Sequence, residues 1–210
     1  APDIPNNEGS FRPVHVTAPE GCVLNASHPM PTAARHIIGH FAPVCVLGAL
    51  YEAIPDRTIA EGATAIWSTQ VYGENFRGKP FSYTFFSNGG MGARPNKDGL
   101  SATGFPSGVH GTPVEIIESS SPLVIHEKEL YQDSGGSGQY RGGLGQMIRF
   151  GVRTNKPFRF PTMFDRENHP ANGLAGGKPG SKAETLLNEQ TPMEPKRLYT
   201  LKPEDVVTMK

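Results

Sequence analysis

Glycine and proline are the residues that most restrict the fold of this chain. Its 210 residues include 25 glycines and 20 prolines, whereas the two together make up about 12% of an average protein. Both residues destabilise the interior of a helix, so the sequence excludes a long helical bundle. Apolar residues make up 36% of the chain, which is sufficient for a packed core. We therefore expect a folded, turn-rich protein.

One segment has the spacing of an amphipathic helix. Apolar side chains recur every three or four residues between Thr32 and Ile54, which is the period of a helix with one buried face. Pro43 lies within this pattern, and we expect it to kink or split the helix. The first 30 residues contain five prolines, which allow only short extended pieces such as residues 14–16.

After Arg57 the helical spacing gives way to the alternation that is typical of strands. Ile148, Phe150 and Val152, for example, alternate with arginine and glycine. A helix-rich segment followed by a strand-rich, glycine-loop-rich region indicates an α+β fold, which we expect to form a single unit over residues 1–210. The predicted strands cover residues 65–72, 81–86, 114–118, 123–130 and 147–152, with a further strand or two in 158–164 and 198–209.

Charge and cysteine content exclude several classes of protein. Twenty basic side chains balance 20 acidic ones, which argues against nucleic acid as a partner. A membrane partner is not expected either, because the chain has no apolar run near the roughly 18 residues that a membrane span requires. Cys22 and Cys45 form neither a CxxC motif nor a disulfide framework, and this favours a reduced, cytoplasmic setting.

The glycines are concentrated in residues 88–94, 133–145 and 173–180. In one interpretation, their N–H groups converge on an anion while Arg94 or Arg141 adds a charge-assisted hydrogen bond. In the other, the glycines serve tight turns or close packing of the backbone. The residues alone leave both interpretations open.

Familiar nucleotide-binding motifs are not found in these segments. A P-loop requires serine or threonine after its lysine, but Lys79 and Lys178 are each followed by proline. A dinucleotide-binding fold requires a helix after its glycines, whereas a strand pattern follows Gly138. We therefore expect that this chain does not hold ATP or NAD by itself.

Side chains that could carry chemistry are scattered. His36 and His40 share one helix face, as a metal pair requires, but no carboxylate accompanies them, which favours a packed or surface pair. The Gly-x-Ser-x-Gly motif of serine hydrolases is absent. Asp133 and Arg141 bracket the longest glycine segment and favour a structural ion pair across it.

Taken in order along the chain, these segments resemble the hydantoinase B/oxoprolinase family. The resemblance covers nearly the whole chain. It rests on residues 2–9, 10–13, 19–21, 89–94, 98–99, 113–115, 133–136, 141–145, 165–166 and 173–177.

The resemblance implies a role in enzymes that open cyclic amides with ATP, such as N-methylhydantoinases and 5-oxoprolinases. In this family the B-type protein works with an A-type partner of actin-like fold that binds ATP with Mg²⁺. The B-type protein supplies a metal site and part of the substrate pocket. Phosphoryl transfer to the carbonyl oxygen would precede the attack of water, because a lactam nitrogen or oxygen is a poor leaving group until it is phosphorylated.

The family's metal motifs lie in an N-terminal half and its glycine-rich tail lies at the C-terminus. We expect residues 1–210 to be the C-terminal portion of such a B-type protein, with both segments outside it. The rest of the B-type protein is then a further partner, any divalent metal belongs to the N-terminal half, and the fragment alone is inactive. The resemblance assigns no metal ligand to His36 or His40.

The same resemblance suggests Arg12, Asp133, Ser134, Gly135 and Arg141 as substrate-binding residues. The two arginines would stabilise negative charge on a cyclic amide or its phosphorylated intermediate, and residues 133–135 would shape the receiving loop.

Two alternatives to cyclic amide hydrolysis stay open. One is ATP-dependent carboxylation of a ketone, as in acetone and acetophenone carboxylases. The other is a scaffold or interface segment without catalytic contacts, in which the apolar residues 206–209 would be exposed for burial in a larger assembly. Glycine loops that face one cleft favour an enzyme, whereas glycine loops between packed strands favour a scaffold.

Overall fold

The computed structural model describes residues 5, 7–64 and 66–210. Ala65, where the first predicted strand begins, lies outside the described residues, as do Pro2, Asp3, Ile4 and Asn6 of the first family motif. Contacts divide the chain into two compact units, residues 1–39 and 40–210. Whether residues 1–210 form one unit of a larger protein stays a prediction.

The described residues form three helices and nine strands. The helices are α1 (Glu8–Phe11), α2 (Arg35–Leu50) and α3 (Val114–Ser120). The strands are β1 (Trp67–Glu74), β2 (Pro80–Ser87), β3 (Leu123–Leu130), β4 (Gln146–Val152), β5 (Phe158–Thr162), β6 (Thr185–Leu187), β7 (Thr191–Pro192), β8 (Arg197–Leu201) and β9 (Val207–Met209).

The first unit includes one helical turn that the sequence did not reveal. Asn7 caps α1, because its side-chain oxygen accepts a hydrogen bond of 3.2 Å from the N–H of Ser10. Such a cap satisfies a donor that the helix leaves unpaired. The prediction of extended pieces alone is therefore wrong here, and residues 14–16 form no strand. Among the described residues of this unit, only Ile37 is buried.

The predicted helix is confirmed as α2, which is shorter than residues 32–54. Ala34 precedes it with a φ of 58°, a left-handed conformation that interrupts a right-handed helix. Pro43 lies inside α2 without dividing it. Within the described part of the chain, no helix is both long and apolar enough to span a membrane.

The second unit contains two antiparallel sheets, which confirms the α+β class. Their strand orders are β2-β1-β5-β8 and β3-β4-β9-β6-β7. Ile148, Phe150 and Val152 are buried along β4, as their alternation predicts. The ring centroids of Phe150 on β4 and Phe85 on β2 lie 5.8 Å apart, so side chains of the two sheets form one core.

Residues 114–118 are helical, so the predicted strand is wrong. Valine and isoleucine favour strands on propensity, but in α3 the buried Ile117 packs into the core. Glu115 lies in the first turn, where negative charge suits the helix dipole. The carboxylate of Glu118 also accepts a hydrogen bond of 2.8 Å from the N–H of Ile125 on β3. Tertiary packing overrides the local preference.

The apolar C-terminal stretch is buried, which corrects the expectation of an exposed tail. Val207, Thr208 and Met209 are all buried, because β9 lies between β4 and β6 in the five-stranded sheet. A strand flanked on both sides has both its backbone edges paired. This stretch is part of the core.

Candidate functional site

All three glycine-rich segments line one cleft in the second unit. We call it the glycine cleft. Its walls are the segments 60–63, 88–94, 134–145 and 171–183, which supply most of its lining residues. The cleft encloses about 330 Å³, which is within the size range of small-molecule sites. The sequence predicted glycine loops, and the structure places them around a common space.

Backbone hydrogen bonds join the first two walls. The N–H of Ala60 donates to the carbonyl of Ala93 at 2.8 Å, and the N–H of Ala63 donates to the carbonyl of Gly90 at 2.9 Å. Residues 60–63 therefore run alongside the first glycine segment without being part of a named sheet.

The second glycine segment extends this arrangement. The N–H of Gly143 donates to the carbonyl of Met91 at 2.9 Å, and the N–H of Gly142 donates to the carbonyl of Gly136 at 2.9 Å. The loop thus folds back on itself while it holds the first segment.

The third segment bonds to the second one. The N–H of Lys178 donates to the carbonyl of Ser137 at 2.7 Å, and the N–H of Ser181 donates to the carbonyl of Ser134 at 2.9 Å. Residues 134–138 therefore lie directly beside the lysine-bearing residues 178–182.

A largely buried carboxylate closes the ring of walls. One oxygen of Glu61 accepts a hydrogen bond of 2.8 Å from the N–H of Asn172, and the other forms an ion pair of 2.8 Å with Arg166. Arg166 also donates to the carbonyls of Gly62 and Ala63, each at 2.9 Å. Glu61 and Arg166 are the side chains that hold the first and last walls together.

The glycines in these walls permit close backbone packing. A Cβ on Gly90 would collide with the carbonyl of Gly143, and one on Gly92 would collide with the carbonyl of Ala60. The packing interpretation is therefore confirmed at these positions, and closely packed glycine backbones form the walls of the cleft. Convergence of glycine N–H groups on an anion stays a prediction.

The predicted substrate-binding residues lie in different surroundings. Ser134 and Gly135 line the cleft. Asp133 and Arg141 form an exposed ion pair of 3.4 Å, as their spacing favoured, and neither is among the lining residues. Arg12 lies in the first unit, exposed, directly after α1. Their contact with substrate stays a prediction.

Ser134 has both of its hydrogen-bonding roles occupied by the protein. Its hydroxyl donates to the carbonyl of Tyr131 at 2.6 Å and accepts from the N–H of Gly145 at 2.9 Å. Replacing Ser134 with alanine leaves the N–H of Gly145 without its acceptor, and the carbonyl of Tyr131 keeps only the longer bond of 3.4 Å from the backbone N–H of residue 134. We therefore expect a loss of about 2 kcal/mol in the free energy of unfolding. Urea unfolding would measure it, with the exposed Ser119→Ala as a control that changes little. Equal losses in both variants would contradict this role.

The cleft is strongly cationic although the chain has no net charge. The lining side chains include five cations: Arg94, Arg166, Lys178, Lys182 and Lys210. Among the described lining residues, Glu61 is the only carboxylate. Glu61, Arg166 and Lys182 were not predicted as site residues from the sequence, and Lys178 was weighed only as part of a P-loop motif that Pro179 breaks. Arg166 belongs to a family motif, which is the one signal that pointed to it.

The described residues contain no cluster of metal-ligating side chains. Their His, Cys, Asp and Glu side chains form no group of three that could hold a metal. Magnesium prefers carboxylate oxygens, but both oxygens of Glu61 are engaged by Arg166 and Asn172.

The carboxyl group of Glu167, which follows Arg166 in the chain, has a raised pKa. Burial raises the pKa of its carboxyl group, Asp165 and Glu184 add to this rise, and Lys196 opposes it. One carboxyl oxygen is buried without a hydrogen-bond partner among the described residues. The folded protein therefore holds this proton more tightly than the unfolded chain does.

We expect Glu167→Gln to stabilise the protein near neutral pH. A raised pKa favours folding below the unfolded value of about 4.3, and this benefit is lost as pH rises through the folded pKa. Urea midpoints of Glu167→Gln and wild type should therefore differ at about pH 7 and converge near about pH 4. The exposed Glu204→Gln is the control, and a Glu167→Gln difference independent of pH would contradict the explanation.

The sequence model of the hydantoinase B/oxoprolinase family matches residues 1–210. An uncharacterized protein of Methanocaldococcus jannaschii is 38% identical over 146 residues, which cover 69% of this chain and 25% of that protein. The B component of a putative D-/L-hydantoinase of Pseudomonas sp. is 29% identical over 146 residues, which cover 69% of this chain and 24% of that component.

A solved structure has the same fold. The crystal structure of an ATP-dependent caprolactamase from Pseudomonas jessenii superposes with a TM-score of 0.77 and 26% sequence identity. The match covers 98% of this chain and 38% of the caprolactamase chain. The chain thus spans about a quarter of the length of the two curated relatives above.

Proposed function

Because this chain belongs to the hydantoinase B/oxoprolinase family, we propose that it forms part of an ATP-dependent enzyme that hydrolyses cyclic amides. The family resemblance found in the sequence motifs is thereby confirmed. Its similarity to a putative hydantoinase component and to an ATP-dependent caprolactamase supports this chemistry. The observation that carries the proposal is the glycine cleft, where three motif-bearing segments meet.

The cleft supports an enzymatic role over a scaffold role. Its three segments are distant in the chain, and backbone bonds bring them around one space. A scaffold segment has no need of a polar, cationic hollow at the meeting point of its family motifs. The cleft is instead suited to hold a small ligand, as expected for a chain that contributes part of a substrate-binding pocket.

We place ATP on an A-type partner protein. The one lining carboxylate among the described residues of the cleft is engaged within the protein, by Arg166 and the N–H of Asn172. The similar hydantoinase component is one of several chains of its enzyme, which supports a partner here. ATP would supply the phosphoryl group that activates the amide oxygen. The residues of this chain would orient the ring and hold negative charge that develops on it.

The full-length B-type protein combined with its A-type partner tests this function. We expect phosphate release that requires both ATP and a cyclic amide such as a hydantoin, 5-oxoproline or caprolactam, together with the ring-opened product. Omission of either protein is the control. Phosphate release without any dependence on a cyclic amide would contradict the proposal, and consumption of a ketone that depends on bicarbonate would favour the carboxylase alternative.

Arg141→Ala in the same assay tests one of the predicted substrate contacts. Asp133 neutralises Arg141 at the exposed edge of the loop. Turnover equal to wild type would remove Arg141 from the site without affecting the proposed function.

A further inference from the structure

We propose that the glycine cleft contains a binding site for an oxyanion, formed by Arg94, Lys178 and Lys182. The ligand group is a phosphate or a carboxylate. The proposal rests on the proposed function in that it concerns the same cleft, and it adds which side chains bind ligand and what charge the ligand carries.

The side chains that line the cleft carry an excess of positive charge. Of the five cations that line the cleft, two are neutralised within the protein, Arg166 by Glu61 and Lys210 by Glu184. Arg94, Lys178 and Lys182 form no ion pair with any described residue. Three such cations around one hollow, in a chain whose total charge is zero, create a positive potential that attracts an anion.

Backbone hydrogen bonds fix the position of the segment that carries the two lysines. Lys178 and Lys182 extend from a segment whose backbone is bonded at two points to the second glycine loop, through Ser137 and Ser134. Their stems therefore start from a fixed edge of the cleft. The long side chains are exposed and can turn toward a ligand inside the cleft.

Arg94 is already partly oriented on the first glycine segment. Its Nε donates to the backbone carbonyl of Asp98 at 2.9 Å, which restrains the side chain. Its two Nη groups have no hydrogen-bond partner among the described residues. A guanidinium group with its Nη donors available is well suited to bind carboxylate or phosphate oxygens.

Neutral donors complete the site. The N–H groups of Gly136, Ser137 and Gly138 donate to no acceptor among the described residues, and all three residues line the cleft. Thr58 also lines the cleft and is only 3% exposed. Its hydroxyl has no partner in the described part of the chain. A buried polar group without a partner is unfavourable, and an oxyanion would accept its hydrogen bond.

Phosphate and carboxylate both present oxygen acceptors, so the donors of this site can bind either group. The phosphate would be a phosphoryl group transferred from ATP, and the carboxylate would be a substituent of the substrate. Both would be held by the same donors, and both can be supplied separately as inorganic phosphate and acetate.

Lysine acylation of the full-length B-type protein tests the site. The protein is treated with a limiting acylating reagent alone, with phosphate or with acetate, at matched ionic strength, and each lysine is quantified by mass spectrometry. We expect Lys178 and Lys182 to be protected by at least one anion. Lys202 is exposed and outside the cleft, so it should react equally under all three conditions.

A double variant provides a second measurement. We expect Lys178→Gln/Lys182→Gln to bind the protective anion about tenfold more weakly in calorimetry, because charge-assisted hydrogen bonds are lost. Lys202→Gln is the matched control and should bind as wild type does. A circular dichroism spectrum equal to wild type would establish that the double variant is folded.

The outcomes separate the two sources of anion and the two proposals. Protection by phosphate alone supports a phosphoryl group, and protection by acetate alone supports a substrate carboxylate. Protection by neither anion, or equal protection of Lys202, overturns the site. If the anion binds but the complete enzyme shows no cyclic-amide turnover, the proposed function alone is contradicted. If the double variant keeps wild-type turnover and neither lysine is protected, the anion site alone is contradicted.

Discussion

Replacing Arg166 with alanine is expected to lower the free energy of unfolding by about 4 kcal/mol. Arg166 and Glu61 form an ion pair in which the side chains are only 10% and 21% exposed. Removal of one partner leaves the other as a largely buried charge without compensation, which is the most unfavourable way to break such a pair. The same variant loses hydrogen bonds to the carbonyls of Gly62 and Ala63.

Arg166→Ala should also abolish turnover in the complete enzyme. Without Arg166, residues 60–63 lose the side chain that holds them in place as a wall of the glycine cleft. Asn172 would keep its bond to Glu61, but that carboxylate would no longer be held in place. Arg166→Lys should fall between wild type and alanine, since lysine keeps the charge and lacks the several fixed donors of arginine.

Arg197→Ala is a closely matched control for this variant. Arg197 also pairs with a carboxylate, Glu194, and lies over an aromatic ring, Tyr199, just as Arg166 lies over Phe41. The Arg197 pair is exposed, so its loss should change the free energy of unfolding by about 0.5 kcal/mol or less. Urea unfolding of both variants measures the difference. Similar midpoints would contradict the view that burial makes the Arg166 pair important.

The sequence predicted those elements of the fold that depend on local patterns. Strand β3 agrees with its predicted residues 123–130, and β4 differs by one residue at its start. Strand β4 has regular alternation, whereas β3 begins with the apolar run Leu123–Ile125 directly after Pro122. The β-branched residues of α3 favour a strand by local propensity. The packing of Ile117 into the core favours a helix instead. No window of seven residues contains that packing information.

The candidate site depends even more on contacts between distant residues. Gly136 and Lys178 lie in segments whose composition marked them as loops, and composition could not show that the two loops meet. The pair of Glu61 and Arg166 joins residues that are 105 positions apart. Lys178 was dismissed because Pro179 breaks the P-loop motif, although a lysine can bind an anion outside that motif. The glycine loops and Arg94 could be located from the sequence, whereas Lys182 and the pair of Glu61 and Arg166 could not.

Gly90→Ala is expected to lower the free energy of unfolding by about 3 kcal/mol, through overpacking of backbone against backbone. The added methyl group would lie on the carbonyl group of Gly143, which cannot rotate away as a side chain would. Gly90 also accepts the hydrogen bond from Ala63 that holds two walls of the cleft together. The variant should therefore lose cyclic-amide turnover along with stability.

Gly145→Ala, a second glycine variant in the same cleft, tests whether the close backbone contact at Gly90 is the reason that alanine is not tolerated there. A Cβ at Gly145 would meet only the hydroxyl of Ser134, at an ordinary 3.7 Å, so this variant should be as stable as wild type or gain up to about 1 kcal/mol from the stiffer unfolded chain. Thermal and urea unfolding of the two variants provide the comparison. If both unfold alike, the walls are looser than the backbone contacts indicate, and the cleft would then need its glycines for access of ligand rather than for packing.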